Sequence, residues 1–366
     1  MLKRLLQRLF KRNPQSSFEI KLDSSVELSQ APRSEVEDKV KSEVISEVTS
    51  EVTTEVAAPA PLSAPANDYP IPVEDVPSAE DSECRTNYVQ CVSSSGMHKM
   101  AYHEWGDPSN QRVLICVHGL TRRGSDFTVL AKAMSDRYRV ICPDIVGRGD
   151  SDWLENPMLY GIPQYVTDMN ALFAQLGLRE VDWFGTSMGG LIGTFIASQK
   201  NSPIKKMILN DVGPRIEPTA LKRLGDYVGK PLRFNSKKEG LIYLNRICEP
   251  FGTFTPEQWK DYNGPHLKKD GDQWVVHYDP DIVKPFAAVN KMTAMMGEMM
   301  TWKAYDAITA EMLIVRGSES DLISAATVSE MCRRNPRAKS IEILGVGHAP
   351  AFITPEQVSL AREFYS

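Results

Sequence analysis

Val181-Asp182-Trp183-Phe184-Gly185-Thr186-Ser187-Met188-Gly189-Gly190 reads as an apolar strand that breaks abruptly at a G-x-S-x-G. A serine at the point of such a strand-to-helix turn stands in strained backbone, with its hydroxyl clear of the sheet and above the start of the next helix. The flanking glycines are needed because a Cβ there would meet the neighbouring strand or helix. The context supports the reading. Val181 to Phe184 is strand-like, and Leu191-Ile192-Gly193-Thr194-Phe195-Ile196-Ala197 continues as a small-and-apolar helix. Ser187 is therefore the expected nucleophile.

A serine nucleophile needs a base, and a base needs an orienting acid. Gly345-Val346-Gly347-His348-Ala349-Pro350 follows the strand-like run Lys339 to Leu344, so His348 sits on a loose loop at a strand's end, downstream of the serine. His266 and His277 lie in a polar stretch and read as surface residues, whereas His98 and His103 precede the turn. For the acid, Glu311 to Gly317 is a strand ending in glycine, followed by Ser318-Glu319-Ser320-Asp321-Leu322. Asp321 is preferred over Glu319 because a shorter side chain orients an imidazole more stiffly. Asp211, in Asn210-Asp211-Val212-Gly213-Pro214, is the reserve.

The run Arg112 to Leu120 is a buried strand ending in His118-Gly119, where the glycine lets the next amide point into the site. The backbone N–H groups of Leu120 and Met188 are the expected oxyanion hole, and such donors typically contribute about 2.7–4 kcal/mol each to lowering the barrier. Arg122 is a candidate contact for an anionic substrate group, against the simpler reading of a loop salt bridge.

These stretches, together with Cys142-Pro143-Asp144-Ile145-Val146-Gly147-Arg148-Gly149-Asp150-Ser151-Asp152, resemble the α/β-hydrolase superfamily. The likeness spans roughly residues 85–366. It is greatest to the branch with a helical cap, which includes proline iminopeptidases, carbon–carbon bond hydrolases, lactonases and small carboxylesterases. The resemblance implies Ser187, Asp321 and His348 as nucleophile, acid and base. It departs from the family at one point: many relatives carry the acid three residues after the strand-end glycine, where this chain has Ser320. Serine at the turn, where haloalkane dehalogenases and epoxide hydrolases carry aspartate, argues against those two chemistries.

Strand-like runs at Val113–Val117, Tyr138–Cys142, Val181–Phe184, Lys206–Leu209, Met312–Val315 and Ser340–Leu344 alternate with amphipathic stretches. That alternation implies an α/β fold with a mostly parallel sheet covered on both faces. An opening hairpin at Asn87–Val92 and Lys99–Trp105 precedes it, and a helical cap insertion is expected at about 215–305. Within the cap, Met292, Met295, Met296, Met299 and Met300 form a helical stripe that reads as core packing or as an adaptable acyl pocket. Phe251, Phe254 and Trp259 are candidates for its mouth.

Residues 1–84 are a different polymer. Leu2, Leu5, Leu6, Leu9 and Phe10 share one helical face among five basic residues, the pattern of an interfacial helix. Beyond it the chain is acidic and aromatic-poor, repeating Ser-Glu-Val at 42–44, 46–48 and 50–52. Such composition predicts a disordered tether. The basic residues interrupt the apolar ones, so the start does not read as a secretory signal.

A net charge of −5 argues against nucleic-acid binding, and six scattered cysteines without a C-x-x-C pair point to reduced thiols in the cytoplasm, with contact to the inner face of the membrane through residues 1–12. Neither a cofactor motif nor a metal-ligand pattern is present in the sequence. The expected function is hydrolysis of a carboxylic ester of a small or medium acyl group through an acyl-enzyme. Carbon–carbon, lactone, thioester and amide bonds are the alternatives on the same fold, and a non-catalytic membrane-tethered binding protein is the alternative of another class.

Overall fold

A computed structural model describes residues 84–366. The amphipathic stretch at 1–12 and the acidic repeats lie outside the described residues.

The first two strands, β1 (Arg85–Ser93) and β2 (Gly96–Trp105), form an antiparallel hairpin. β3 (Val113–Val117), helix α1 (Thr128–Met134), β4 (Arg139–Pro143), α2 (Ile162–Leu176), β5 (Val181–Thr186), α3 (Met188–Ala197) and β6 (Ile204–Asn210) follow. After an insertion, β10 (Glu311–Gly317), α9 (Ala325–Arg334), β11 (Ala338–Ile343) and α10 (Pro355–Phe364) complete the domain. The strands form one eight-stranded sheet in the order β1-β2-β4-β3-β5-β6-β10-β11, parallel from β4 onward.

The period-two alternation of side chains along a strand explains why this sheet has two cores. In β3, Val113, Ile115 and Val117 join the apolar cluster that includes Tyr165 and Met169 of α2 and Ile192 and Ile196 of α3. Leu114 and Cys116 point the other way, to Leu130 and Met134 of α1 and Val358 and Ala361 of α10. All five β3 residues are buried, as a strand covered on both faces requires. At the far edge, β11 is largely exposed. Its apolar reading in sequence came from Ile341, Ile343 and Leu344, but an edge strand packs only one neighbour.

Between β6 and β10 the chain forms α4 (Pro218–Tyr227), β7 (Arg233–Phe234), α5 (Lys237–Cys248), α6 (Pro256–Asn263), β8 (Leu267–Asp270), β9 (Gln273–Val276), α7 (Lys284–Ala287) and α8 (Lys291–Asp306). This insertion is not purely helical: β7, β9 and β8 pair into a small antiparallel sheet. The strands are only two to four residues long, too short for hydrophobic periodicity to reveal them. The readable signal is the two-residue turn between Asp270 and Gln273, where Gly271 takes φ +61°.

The methionine stripe of α8 is a second difference. Met292, Met295, Met296, Met299 and Met300 are all exposed, between 48% and 67%, and none lines the cavity described below. The buried side chains of α8, Trp302 and Tyr305 among them, lie in its last turns, and Glu298 in its middle pairs with Arg215.

Candidate active site

Strand β5 delivers Ser187 into a backbone that an L-residue rarely adopts, φ 52° and ψ −116°. Two constraints hold it there. The Ser187 N–H donates to Asn210 O at 3.0 Å, and the Ser187 carbonyl accepts the amides of Gly190 and Leu191 as α3 begins. Gly185 is obligatory, since a Cβ on it would lie 2.5 Å from the Gly189 carbonyl oxygen. Ser187 therefore stands at the N-terminus of α3, where unpaired amides and the helix dipole favour negative charge.

His348 lies on the loop after β11 and is mostly buried. Its Nε2 is 3.0 Å from Ser187 Oγ, and its Nδ1 is 2.6 Å from Asp211 Oδ2. A buried carboxylate can only accept, so Nδ1 carries the proton and Nε2 is left to receive one from serine. The sequence reading placed the acid on Asp321; the structure brings Asp211 to that position. Asp211 follows β6, adopts φ 55°, and is wholly buried. Its N–H donates to Val315 O at 2.7 Å, and its carboxylate also accepts from the Gly317 N–H at 2.9 Å and Ser320 Oγ at 2.6 Å. Ser320, occupying the place where many relatives carry the acid, donates to the acid from the neighbouring strand.

Asp321 points elsewhere. Its two oxygens accept from Arg223 Nε at 2.6 Å and Nη2 at 2.9 Å, linking the β10–α9 loop to cap helix α4. Arg223, more than the other causes that lower it, keeps this carboxyl below its usual range against the opposing effect of burial.

The expected oxyanion-hole residues flank Ser187. A Cβ added to Gly119 would lie 3.7 Å from Ser187 Cβ, so the chain before Leu120 abuts the serine, and Met188 is the first residue of α3. Arg148, which sequence reasoning passed over, ties the two together. Its buried guanidinium donates from Nε to Leu120 O at 2.9 Å, from Nη1 to Tyr165 Oη at 2.9 Å, and approaches Met188 Sδ at 3.7 Å. That contact holds the Leu120–Thr121 peptide, next in the chain to the one that carries the Leu120 N–H. His118 is structural: Ile145 N–H donates to its Nε2 at 2.9 Å, its Nδ1 meets Gly119 O at 2.7 Å, and burial drops it to about 4. It is neutral and both its nitrogens are occupied.

Ser187 and His348 open into a cavity walled by the cap through Arg223, Leu224, Tyr227, Tyr243, Leu244, Ile247 and Phe251. Phe251 thus reaches the wall, whereas Phe254 and Trp259 meet edge-to-face, ring centroids 4.8 Å apart, and do not line it. Arg122 also lines the cavity, but its charge is already matched. Asp126 accepts from its Nε at 2.8 Å and Nη2 at 2.7 Å, Asn263 Oδ1 accepts from Nη1 at 2.8 Å, and Tyr262 lies under the guanidinium at 4.4 Å. His266, read from sequence as a surface residue, is buried beside Asp126 at 2.7 Å, and burial lowers it to about 4. Breaking a buried pair such as Arg122–Asp126 costs about 3–5 kcal/mol. The Arg223–Asp321 pair is roughly one-third exposed, and pairs in such settings contribute on the order of 1 kcal/mol or less. Of the two, the cap pair is the exchangeable one.

Two groupings offer three metal-ligating side chains each: Cys91, His98 and Asp168, and His103, Asp144 and Asp150. The second is occupied by the Arg123 guanidinium, which donates to Asp144 and Asp150 from Nη2. In the first, His98 Nε2 meets Asp168 at 3.0 Å, and burial, more than the nearby Asp168, pushes the Cys91 thiol up to about 12. It is a hydrogen-bonded pin between the β1–β2 hairpin and α2.

Residues 112–246 match the family model described as the alpha/beta hydrolase fold. A 3-hydroxybutyrate-oligomer hydrolase from Cupriavidus necator is 49% identical over 286 residues, covering 77% of this chain and 98% of that protein. The chain belongs to the α/β-hydrolase superfamily. An α/β hydrolase from Novosphingobium aromaticivorans superposes with TM-score 0.68 at 31% identity, over 77% of this chain and 98% of the other. A thermophilic esterase from Thermogutta terrifontis shares the fold alone, at 19% identity and TM-score 0.58 over 77% and 97% of the two chains. As a superfamily member with these relatives, the protein is a serine hydrolase of carboxylic esters, and its substrate is a small-molecule ester.

Proposed function

We propose that this hydrolase cleaves short oligoesters of a hydroxyalkanoic acid, of the 3-hydroxybutyrate kind, with Ser187, His348 and Asp211 as its catalytic triad. The observation that carries the reading is the line Asp211–His348–Ser187, at 2.6 and 3.0 Å, opening into a cap-walled, largely apolar cavity. The substrate class is suggested by the relative that matches nearly end to end.

His348 Nε2 takes the Ser187 proton as Oγ attacks the ester carbonyl. Asp211 stabilises the imidazolium that results. The amides of Leu120 and Met188 receive the tetrahedral oxygen, the latter held at the start of α3. His348 returns the proton to the departing alkoxide, releasing a shortened chain with a free hydroxyl. A water molecule, deprotonated by the same imidazole, then frees the acyl group as a carboxylic acid. Arg122, with its charge already matched, supports the wall and does not contact substrate charge.

Purified protein supplied with a 3-hydroxybutyrate trimer should release dimer and monomer, measured by chromatography, and should be inactivated by a fluorophosphonate that labels Ser187. Labelling without oligomer cleavage would remove the substrate assignment and keep the serine.

Among the described residues no helix is long and apolar enough to cross a membrane. For residues 1–12 we propose peripheral contact with an anionic lipid surface, based on their apolar face and basic flanks. Co-sedimentation with anionic vesicles at low salt, lost in a chain lacking residues 1–83, is the expected result.

A further inference from the structure

Hydrolysis of an oligoester leaves each product with a free carboxylate at one end, so a cavity for short chains has an anion to deal with. The charged residues on the cavity wall decide how. Arg122 and Asp126 cancel each other in a closed, buried pair, and His266 beside them is neutral. Arg223 lines the same cavity from cap helix α4, but its counter-charge does not: Asp321 stands on the β10–α9 loop, outside the lining. Of the two arginines on the wall, Arg223 is thus the one whose paired carboxylate stands outside the lining and is partly exposed.

We propose that Arg223 is the subsite for the free carboxylate terminus of the oligoester, and that it thereby directs cleavage to ester bonds near that end. This inference rests on the oligoester reading given above. Asp321 engages Nε and Nη2, and a guanidinium presents five N–H donors in a planar fork, so donors remain for a second carboxylate. The existing pair also points the fork and limits its rotamers, which reduces the ordering cost of binding. Tyr227, one turn along α4 and on the same wall, accepts from the same guanidinium through its phenol oxygen, so the five donors are shared but not exhausted.

The test compares the 3-hydroxybutyrate trimer as free acid with its methyl ester, which keeps every bond to be cleaved but lacks the terminal charge. In the full-length wild type, kcat/KM for the acid should exceed that for the methyl ester by about tenfold or more, mostly through KM. Arg223→Gln should bring that ratio close to one, and Arg223→Lys should keep part of it, because a point charge replaces the fork. Added salt should lower the wild-type ratio and leave the glutamine variant's unchanged. A ratio is insensitive to the fraction of enzyme folded, so loss of protein does not mimic the effect. If Arg223→Gln retains the wild-type ratio, or the wild type shows no preference, the inference is overturned. If p-nitrophenyl butyrate is cleaved and neither trimer is, the oligoester reading fails and takes this inference with it.

Discussion

The ends of β6 and β10 lie side by side in the sheet, and each is followed by an aspartate with a different task. Asp211, after β6, is buried and accepts hydrogen bonds from Gly317, Ser320 and the His348 imidazole that faces Ser187. Asp321, after β10, is partly exposed and holds a cap arginine. The residue type is the same and the strand ends are adjacent; burial and partners separate the roles. A carboxylate that must stabilise an imidazolium during turnover benefits from a dry, fully bonded setting, where each donor counts for more than it does in water. A carboxylate that only ties a loop to the cap can stay partly exposed, where the pair contributes little to stability. Asp144, following β4, is a third variant: it accepts from Gly124, Asp150 and Arg123 and meets His103 at 3.1 Å, holding loops together without facing the nucleophile.

The comparison can be broken most severely at the triad. Ser187→Ala should lower kcat by a factor on the order of 10⁶, with a thermal midpoint close to wild type, since its hydroxyl contributes chemistry more than packing. Asp211→Asn should lower kcat on the order of 10³–10⁴-fold by letting the imidazole adopt the wrong tautomer. Asp321→Asn should cost less than about threefold on a neutral ester such as p-nitrophenyl butyrate. Steady-state kinetics on the two asparagine variants decides between the strand ends, and the reverse order would return the acid to β10.

Ser320→Ala sharpens the same contrast from the β10 side. It removes one hydrogen bond to a charged group, about 1.5 kcal/mol, and so predicts a fall in kcat of about tenfold with KM little changed. A stopped assay at saturating substrate is enough to see it, and an unaltered kcat would make Ser320 a bystander.

The smallest effect is a stability one. Burial disfavours the His103 cation, but the contact with Asp144 outweighs that and raises His103 to about 9. A histidine raised in the folded state stabilises in full below its ordinary value near 6.5, and that contribution is lost as pH rises through about 9. Chemical denaturation between pH 6 and 9.5 should show a decline of up to about 3 kcal/mol from this site, flattened in His103→Gln. A variant as pH-sensitive as the wild type over that window would mean that His103 is neutral in the folded protein.

Much of the fold was legible because its signals are local. The strand ranges follow from short apolar runs, the turn at Ser187 from glycines that a Cβ would forbid, and His348 from a glycine-bounded loop after a strand. Less legible were the cap's very short strands, which span too few residues to show a period, and the exposure of the α8 methionines. A helical stripe has the same spacing whether or not something covers it.

The sequence by itself determined the alternation of strands and helices, the backbone geometry of the nucleophile and the order serine-then-histidine, because each depends on steric and solvation preferences within a few residues. Only the tertiary structure decided which aspartate meets His348 and which carboxylate each cavity-wall arginine takes. Those outcomes depend on sheet order: β6 lies between β5 and β10, so Asp211 is hydrogen-bonded to β10 through Val315 and reaches the loop carrying His348. Asp321, one strand further out, finds α4 first. A carboxylate's partner is fixed by which charges folding brings within about 3 Å, and residues 106 or 137 positions apart in the chain carry no local mark of that meeting.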